Sequence, residues 1–147
     1  MRAQPLIVVK DVVASTRFYE RLLGCKGAHG GTEYGRIVDP KLHHSVWGSD
    51  GLILQLHAWD IDHHHGPMGD PNLPLGNGVL LWFEIDDFDA AVARARELDA
   101  PVLMEPHVNP APDHREMWIK DPDGYTVVIA SVDGEASAQG QAQSTGG

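Results

Sequence analysis

The chain lacks several features that mark whole classes of protein. It has one cysteine, Cys25, so no internal disulfide can form and a reducing compartment suits it. A nucleophilic thiol needs an activating environment, whereas Cys25 follows Gly24, a residue suited to ending a helix. No run of residues approaches the roughly 20 apolar positions a membrane-spanning helix requires. The opening Met1-Arg2-Ala3-Gln4-Pro5 leads into Leu6-Ile7-Val8-Val9, which is too short for a signal-peptide core and has no small-residue cleavage site after it. The expected address is therefore the cytoplasm, with no membrane partner. Basic residues are scarce, 11 against 21 acidic, for a net charge of -10. That balance repels a phosphate backbone and argues against a nucleic-acid partner. It favours a cationic over an anionic ligand, though it also serves solubility. From Asp133 to Gly147 no apolar residue is larger than alanine, so 133–147 is expected to be a disordered tail.

What is present reads as alternating short strands and helices. Leu6 to Val9 is β-branched and closed by Lys10-Asp11, a buried strand. A helix is expected from Ala14 to Leu23, with Ser15 as N-cap, Phe18/Leu22 and Tyr19/Leu23 four apart, and Gly24 as the stop. Glycines and Pro40 break the next stretch into irregular strands around Arg36-Ile37-Val38 and Ser45-Val46-Trp47. Asp50-Gly51 turns into a strand from Leu52 to Trp59. The segment from Asp60 to Asn77 is polar, rich in Pro, Gly and His, and reads as a linker loop. A strand from Val79 to Ile85 follows, then a helix from Asp89 to Leu98. A short strand is expected near Val102-Leu103-Met104, another from His114 to Lys120, and a last one from Tyr125 to Ser131 after the Asp121-Pro122-Asp123-Gly124 turn.

The plan repeats. Asp11 and Asp87 each close a strand 76 positions apart, and Asp50-Gly51-Leu52 recurs 73 positions later as Asp123-Gly124-Tyr125. The fold class is therefore α+β: two tandem βαβββ modules, about 4–60 and 78–132, in one domain over residues 1–132. A curved mixed sheet around a cavity, with the helices outside, would bury what each module leaves open.

The segments Val9-Lys10-Asp11, Phe18-Tyr19 through Leu22-Leu23-Gly24, Leu54-Gln55-Leu56-His57, Trp82-Phe83-Glu84-Ile85-Asp86-Asp87 and His114 to Tyr125 together resemble the glyoxalase/bleomycin-resistance/dioxygenase (vicinal oxygen chelate) superfamily over residues 4–132. Within it they look most like bleomycin-resistance-type binding proteins. The resemblance implies metal ligands in the first and fourth strand of each module, carried onto Gln4 and Gln55. The repeat offsets put the other two positions at Leu80 and Val128, whose side chains have no lone pair. Two amides alone hold a divalent ion weakly, so the family metal site is expected to be lost and no cofactor is expected. The resemblance also implies a homodimer.

Strand alternation sorts the remaining candidates. Ile53, Gln55, His57 and Trp59 share one face. Leu80, Trp82 and Glu84 share another, and Glu116 and Trp118 are sent inward when Met117 and Ile119 face a helix. The expected ligand-binding set is Gln4, Gln55, His57, Trp59, Trp82, Glu84, Glu116 and Trp118. Aromatic faces suit planar or cationic ligands, and carboxylates suit a basic group; tryptophans also fill cavities and subunit interfaces. His63-His64-His65, beside Asp60 and Asp62, is expected to be a solvated loop, since consecutive histidines converge poorly on one ion. His43-His44 is expected at the surface. His107 and His114 flank the Pro-rich stretch and suit a cavity mouth.

Three readings of function follow. The first is a binder that sequesters an aromatic or cationic small molecule, such as an antibiotic, without a metal. The second is a metal-dependent lyase, isomerase or dioxygenase with one divalent ion on a rearranged site, led by His57 and then Glu116 or Glu84. The third is a metal-free enzyme with His57 or Glu116 as acid or base.

Overall fold

A computed structural model describes residues 3–28, 31–42, 51–59, 68–70 and 72–144. The chain divides into two compact units, 1–75 and 76–147, each built on one four-stranded sheet.

In the first unit, β1 (Leu6–Val9) leads into α1 (Val12–Leu23), followed by β2 (Lys26–Ala28), β3 (Tyr34–Val38) and β4 (Leu52–Ala58). The strand order is β1-β4-β3-β2. β1 runs parallel to β4, and the other pairs are antiparallel. Helix α1 starts earlier than the hydrophobic spacing suggests. Its N-cap is Asp11, whose carboxylate accepts from the Ala14 amide at 2.9 Å, while Ser15, the expected cap, is wholly buried inside the helix. Gly24 ends it in the left-handed conformation, φ 65°, as its lack of Cβ allows. Val12, Ser15, Phe18, Tyr19 and Leu22 form the buried stripe and pack toward β3 and β4, whose inward residues include Ile37, Leu54 and Leu56. The approach is close: a Cβ on Gly35 would lie 2.9 Å from Thr16 Oγ1 and 3.1 Å from Val12 Cγ1. The strand expected at Ser45-Val46-Trp47, and Asp50 of the expected turn, lie outside the described residues. So do His43-His44 and His63-His64-His65. The glycine-flanked β2 was not anticipated.

In the second unit, β5 (Leu80–Glu84) leads into α2 (Phe88–Glu97), then β6 (Val102–Asn109), β7 (His114–Lys120), β8 (Thr126–Ala130) and α3 (Glu135–Ser144). The order β5-β8-β7-β6 repeats that of the first sheet, again with the parallel pair first. Asp87 caps α2 through the Ala90 amide at 3.0 Å, so the Asp11/Asp87 repeat is a repeat of helix caps. Asp121 accepts from the amides of Asp123 and Tyr125 at 3.0 and 2.8 Å, and Gly124 at φ 91° completes the turn. Strand β6 is eight residues long rather than the three expected, and contains Pro106. It is an edge strand with register shifts on both sides of Met104, the setting in which a sheet tolerates proline. Within 133–147, expected to be a disordered tail, residues Glu135–Ser144 form α3. Arg115 holds it through both oxygens of Glu135, at 3.1 and 2.7 Å, and ties the same guanidinium to Asp89.

Candidate functional site

The two faces of the second sheet differ in chemistry. Met117, Ile119, Val127 and Ile129 are buried on the face that α2 covers. The opposite face carries His114, Glu116 and Trp118 of β7, Val128 and Ala130 of β8, and Trp82 and Glu84 of β5. Register arranges them in rows: Trp82–Val128–Trp118–Met104, and next to it Glu84–Ala130–Glu116–His107. His114 pairs with Asn109 one step further.

Glu116 is the hub of this face. Its residue is 3% exposed, yet four donors reach it. Oε1 accepts from the Trp118 indole at 3.0 Å and faces His107 Nε2 at 3.1 Å. Oε2 faces His114 Nε2 at 2.9 Å and accepts from the Asn109 amide at 3.3 Å. A carboxylate has about four lone-pair directions, and all are engaged. Burial alone would raise the pKa of Glu116, but the hydrogen bonds from His114, Trp118 and Asn109 outweigh it and hold the group below the usual 4.5. For His114 burial works downward, and the bonds to Glu116 and Asp133 prevail and raise it above the usual 6.5. With Nδ1 against Asp133 Oδ1 at 3.1 Å and Nε2 against Glu116, both ring nitrogens face acceptors, the arrangement of an imidazolium. His107 is oriented by Nδ1 on the Glu105 carbonyl at 2.8 Å. The hub therefore fixes four side chains, and its own oxygens are shielded from any other partner.

Above the hub lies an open aromatic pair. Trp82 is 44% exposed. Its ring centroid is 6.5 Å from that of Trp118 in a T-shaped arrangement and 5.8 Å from that of His114. Trp118 is half-buried and pinned through its indole N–H by Glu116. Between the two tryptophans in register lies Val128, wholly buried. Glu84, two residues from Trp82 on the same face, is exposed, and its carboxylate forms no hydrogen bond or ion pair among the described residues. The structure thus brings together Trp82, Glu84, Glu116 and Trp118 as strand alternation predicts. It also separates the two acids: Glu116 is fully engaged, and Glu84 is open to solvent.

The other expected residues belong to the first unit. Gln55 accepts from Tyr34 Oη at 2.6 Å through Oε1 and donates to the Gln4 carbonyl at 3.1 Å through Nε2. His57 lies on the same face, with Nδ1 2.9 Å from the Ala58 carbonyl and its ring 6.3 Å from that of Tyr34. Trp59 lies just beyond β4 against Gly69, whose added Cβ would meet the indole at 3.0 Å, and its own Nε1 is buried without a hydrogen-bond partner among the described residues. The four positions that the family resemblance assigns to metal do not fit a divalent ion. Leu80 and Val128 have no donor atoms, both ends of the Gln55 amide are engaged, and Gln4 is an exposed residue before β1. Among the described residues no group of three His, Cys, Asp or Glu side chains is disposed to hold a metal ion; in the Glu116 cluster the imidazole nitrogens are aimed at carboxylate oxygens instead.

Sequence reasoning missed Asn109 and Asp133 and left His107 and His114 undecided. The signal was present as two alternating pairs, His107-x-Asn109 and His114-x-Glu116. Pro106 concealed the first by suggesting that the strand had ended. Tyr34 was missed because Gly31 before it and Gly35 after it hide the start of β3, whereas Arg36 was read as a strand residue but not as a site residue.

The family model for the Glyoxalase/Bleomycin resistance protein/Dioxygenase superfamily matches residues 3–129. No curated protein matches the chain. Among solved structures, a lactoylglutathione lyase from Agrobacterium tumefaciens is 17% identical, with 89% of this chain and 92% of that one covered at a TM-score of 0.61. The genomically encoded fosfomycin resistance protein FosX from Listeria monocytogenes is 12% identical, with coverages of 92% and 96% and a TM-score of 0.62. A glyoxalase/bleomycin resistance protein/dioxygenase from Nocardioides is 20% identical, with coverages of 90% and 83% and a TM-score of 0.63. At these identities the likeness is one of fold, and no helix among the described residues is long and apolar enough to cross a membrane. The match of a family model to residues 3–129 of 147, together with the repeated sheet order, places the chain in the glyoxalase/bleomycin resistance protein/dioxygenase superfamily.

Proposed function

We propose that the protein binds a planar aromatic, cationic small molecule on the Trp82–Trp118 face and does so without the family metal ion. The observation that carries this reading is the exposure of Trp82 beside a tryptophan whose orientation is fixed from beneath. An indole left 44% exposed beside the wholly buried Val128 and the half-buried Trp118 is a stacking surface, and fixing Trp118 through Glu116 lowers the entropy lost on binding. Glu84 supplies the charge. It is the acid on this face with free oxygens, whereas Glu116 serves as support and neither touches the ligand nor moves a proton. Sequestration of a toxic compound such as an antibiotic is the use this chemistry suits. The functions named for the structural relatives include both enzyme and resistance roles; the donor-poor positions Leu80 and Val128 favour binding here. A homodimer belongs to the same reading, and sedimentation should then give twice the 16.0 kDa of one chain.

Tryptophan fluorescence tests it, with 1-methylquinolinium as the cationic probe and quinoline-2-carboxylate as its anionic counterpart. The cation should quench saturably, and Trp82→Ala should weaken it by about tenfold, the scale of one desolvated cation–π contact. Glu84→Gln should reduce the preference for the cation over the anion. Quenching that fails to saturate, or that survives unchanged in both Trp82→Ala and Trp118→Ala, refutes the proposal.

A further inference from the structure

Arg36 stands in a setting at odds with the charge of the chain. It lies on β3, an interior strand between β2 and β4. Its neighbours Gly35 and Ile37 are buried on the α1 side, so its side chain rises from the opposite face with Tyr34. In register it lies between Ala28 and Gln55. Ala28 offers no acceptor, and the Gln55 amide is consumed at both ends, by Tyr34 and by Gln4. Arg36 is half-buried, and its Nε is enclosed with no hydrogen-bond partner among the described residues. Other arginines are matched to acids: Arg115 to Asp89 and Glu135, Arg96 to Glu105. In a chain with 21 acidic and 11 basic residues, a half-buried arginine with no acid beside it among the described residues is the less expected outcome.

A buried donor without an acceptor is unfavourable, and native proteins leave few. A guanidinium offers five donors and no acceptor, so the partner it lacks among the described residues is an acceptor, and an oxyanion suits it best. With Nε enclosed, the two terminal nitrogens of its planar fork are the ones that can meet the two oxygens of a carboxylate, phosphate or phosphonate. We infer that Arg36 is the anchor of a binding site in the first unit for a small organic oxyanion. The inference is independent of the tryptophan face in the second unit, and the two ligands need not be one molecule.

An Nε proton enclosed in this way should exchange slowly with water, which makes its NMR signal the reporter to follow in 15N-labelled full-length protein. Benzoate and phenylphosphonate serve as separate probes for the two oxyanion sources. At least one should shift the Arg36 Nε–Hε signal saturably, together with the backbone amides of Gly35 and Gln55. Arg36→Lys, which keeps the charge and loses the fork, should weaken binding by about tenfold, and Arg36→Met should abolish the saturable shift. Thermal unfolding without probe separates binding from structure. If the guanidinium awaits a ligand, Arg36→Met leaves Tm unchanged or raises it. If neither probe shifts these signals, if Gly35 and Gln55 shift equally in Arg36→Met, or if that variant loses more than about 5 °C in Tm, the site does not exist.

Discussion

Glu116 and His114 show how single residues carry the second sheet. Removing one partner of a buried, hydrogen-bonded ion pair costs about 3–5 kcal/mol, because the other is left without compensation. Glu116→Ala should therefore lower the unfolding free energy by about 3 kcal/mol in urea titrations, and it should also loosen Trp118, which loses the acceptor for its indole N–H. The same pair sets a pH dependence. His114 has a raised pKa, so its contribution is complete below the usual 6.5 and is lost as pH rises through the raised value. Glu116 has a lowered pKa, so its contribution is complete above the usual 4.5 and is lost as pH falls through the lowered value. Both are in force between these limits. The groups that face His114 and enter this balance are Glu116, Asp133 and the Trp82 ring, with His107 on the far side of Glu116. Urea midpoints measured across this range should decline on both sides of it. His114→Gln should flatten the alkaline side and leave the acid side largely in place; an unchanged profile would mean that the histidine is not charged in the folded protein.

Helix ends and strand edges were legible to different degrees. Asp11 and Asp87 could be read as strand-closing repeats, but not as caps, because Val12 and Phe88, which follow them directly and open the helices, precede the starts expected at Ala14 and Asp89. Each accepts from an amide three residues on, so Asp11→Ala and Asp87→Ala should each cost about 1 kcal/mol in urea unfolding. A loss below experimental error in both would remove the capping account. Strand β6 was under-read because Pro106 ends a strand in the interior of a sheet but not at its edge. Helix α3 was missed for another reason. It has no apolar stripe to announce it, and its place is set by polar contacts: Glu135 binds Arg115, whose guanidinium also lies 4.7 Å from the centre of the Phe88 ring. Single-sequence patterning has no signal for a contact between residues 20 apart. An Arg115→Ala, Glu135→Ala double-mutant cycle should return a coupling of about 1–2 kcal/mol, above the range of exposed pairs, because the fork is bidentate and partly buried.

At the scale of the whole chain, the duplicated topology was the most legible feature, since strand-closing aspartates and Asp-Gly turns recur at fixed offsets and the two sheets share one strand order. The division of labour on the face of the second sheet was not legible. Alternation sends both Glu84 and Glu116 to that face, but only the hydrogen bonds from His107 and Asn109 of β6 and from His114 and Trp118 of β7 itself show that Glu116 is engaged and the Glu84 carboxylate is free. The central claim is that this family member works through an aromatic surface instead of an ion. Metal content by mass spectrometry tests it most directly, on untagged protein dialysed against a mild chelator and then offered nickel, zinc, manganese or iron, with the His63-His64-His65 run replaced to remove adventitious sites. The account predicts a stoichiometry near zero for every metal. One tightly held ion per chain, lost on His57→Ala, would contradict it and make the protein a metalloenzyme with a rearranged site.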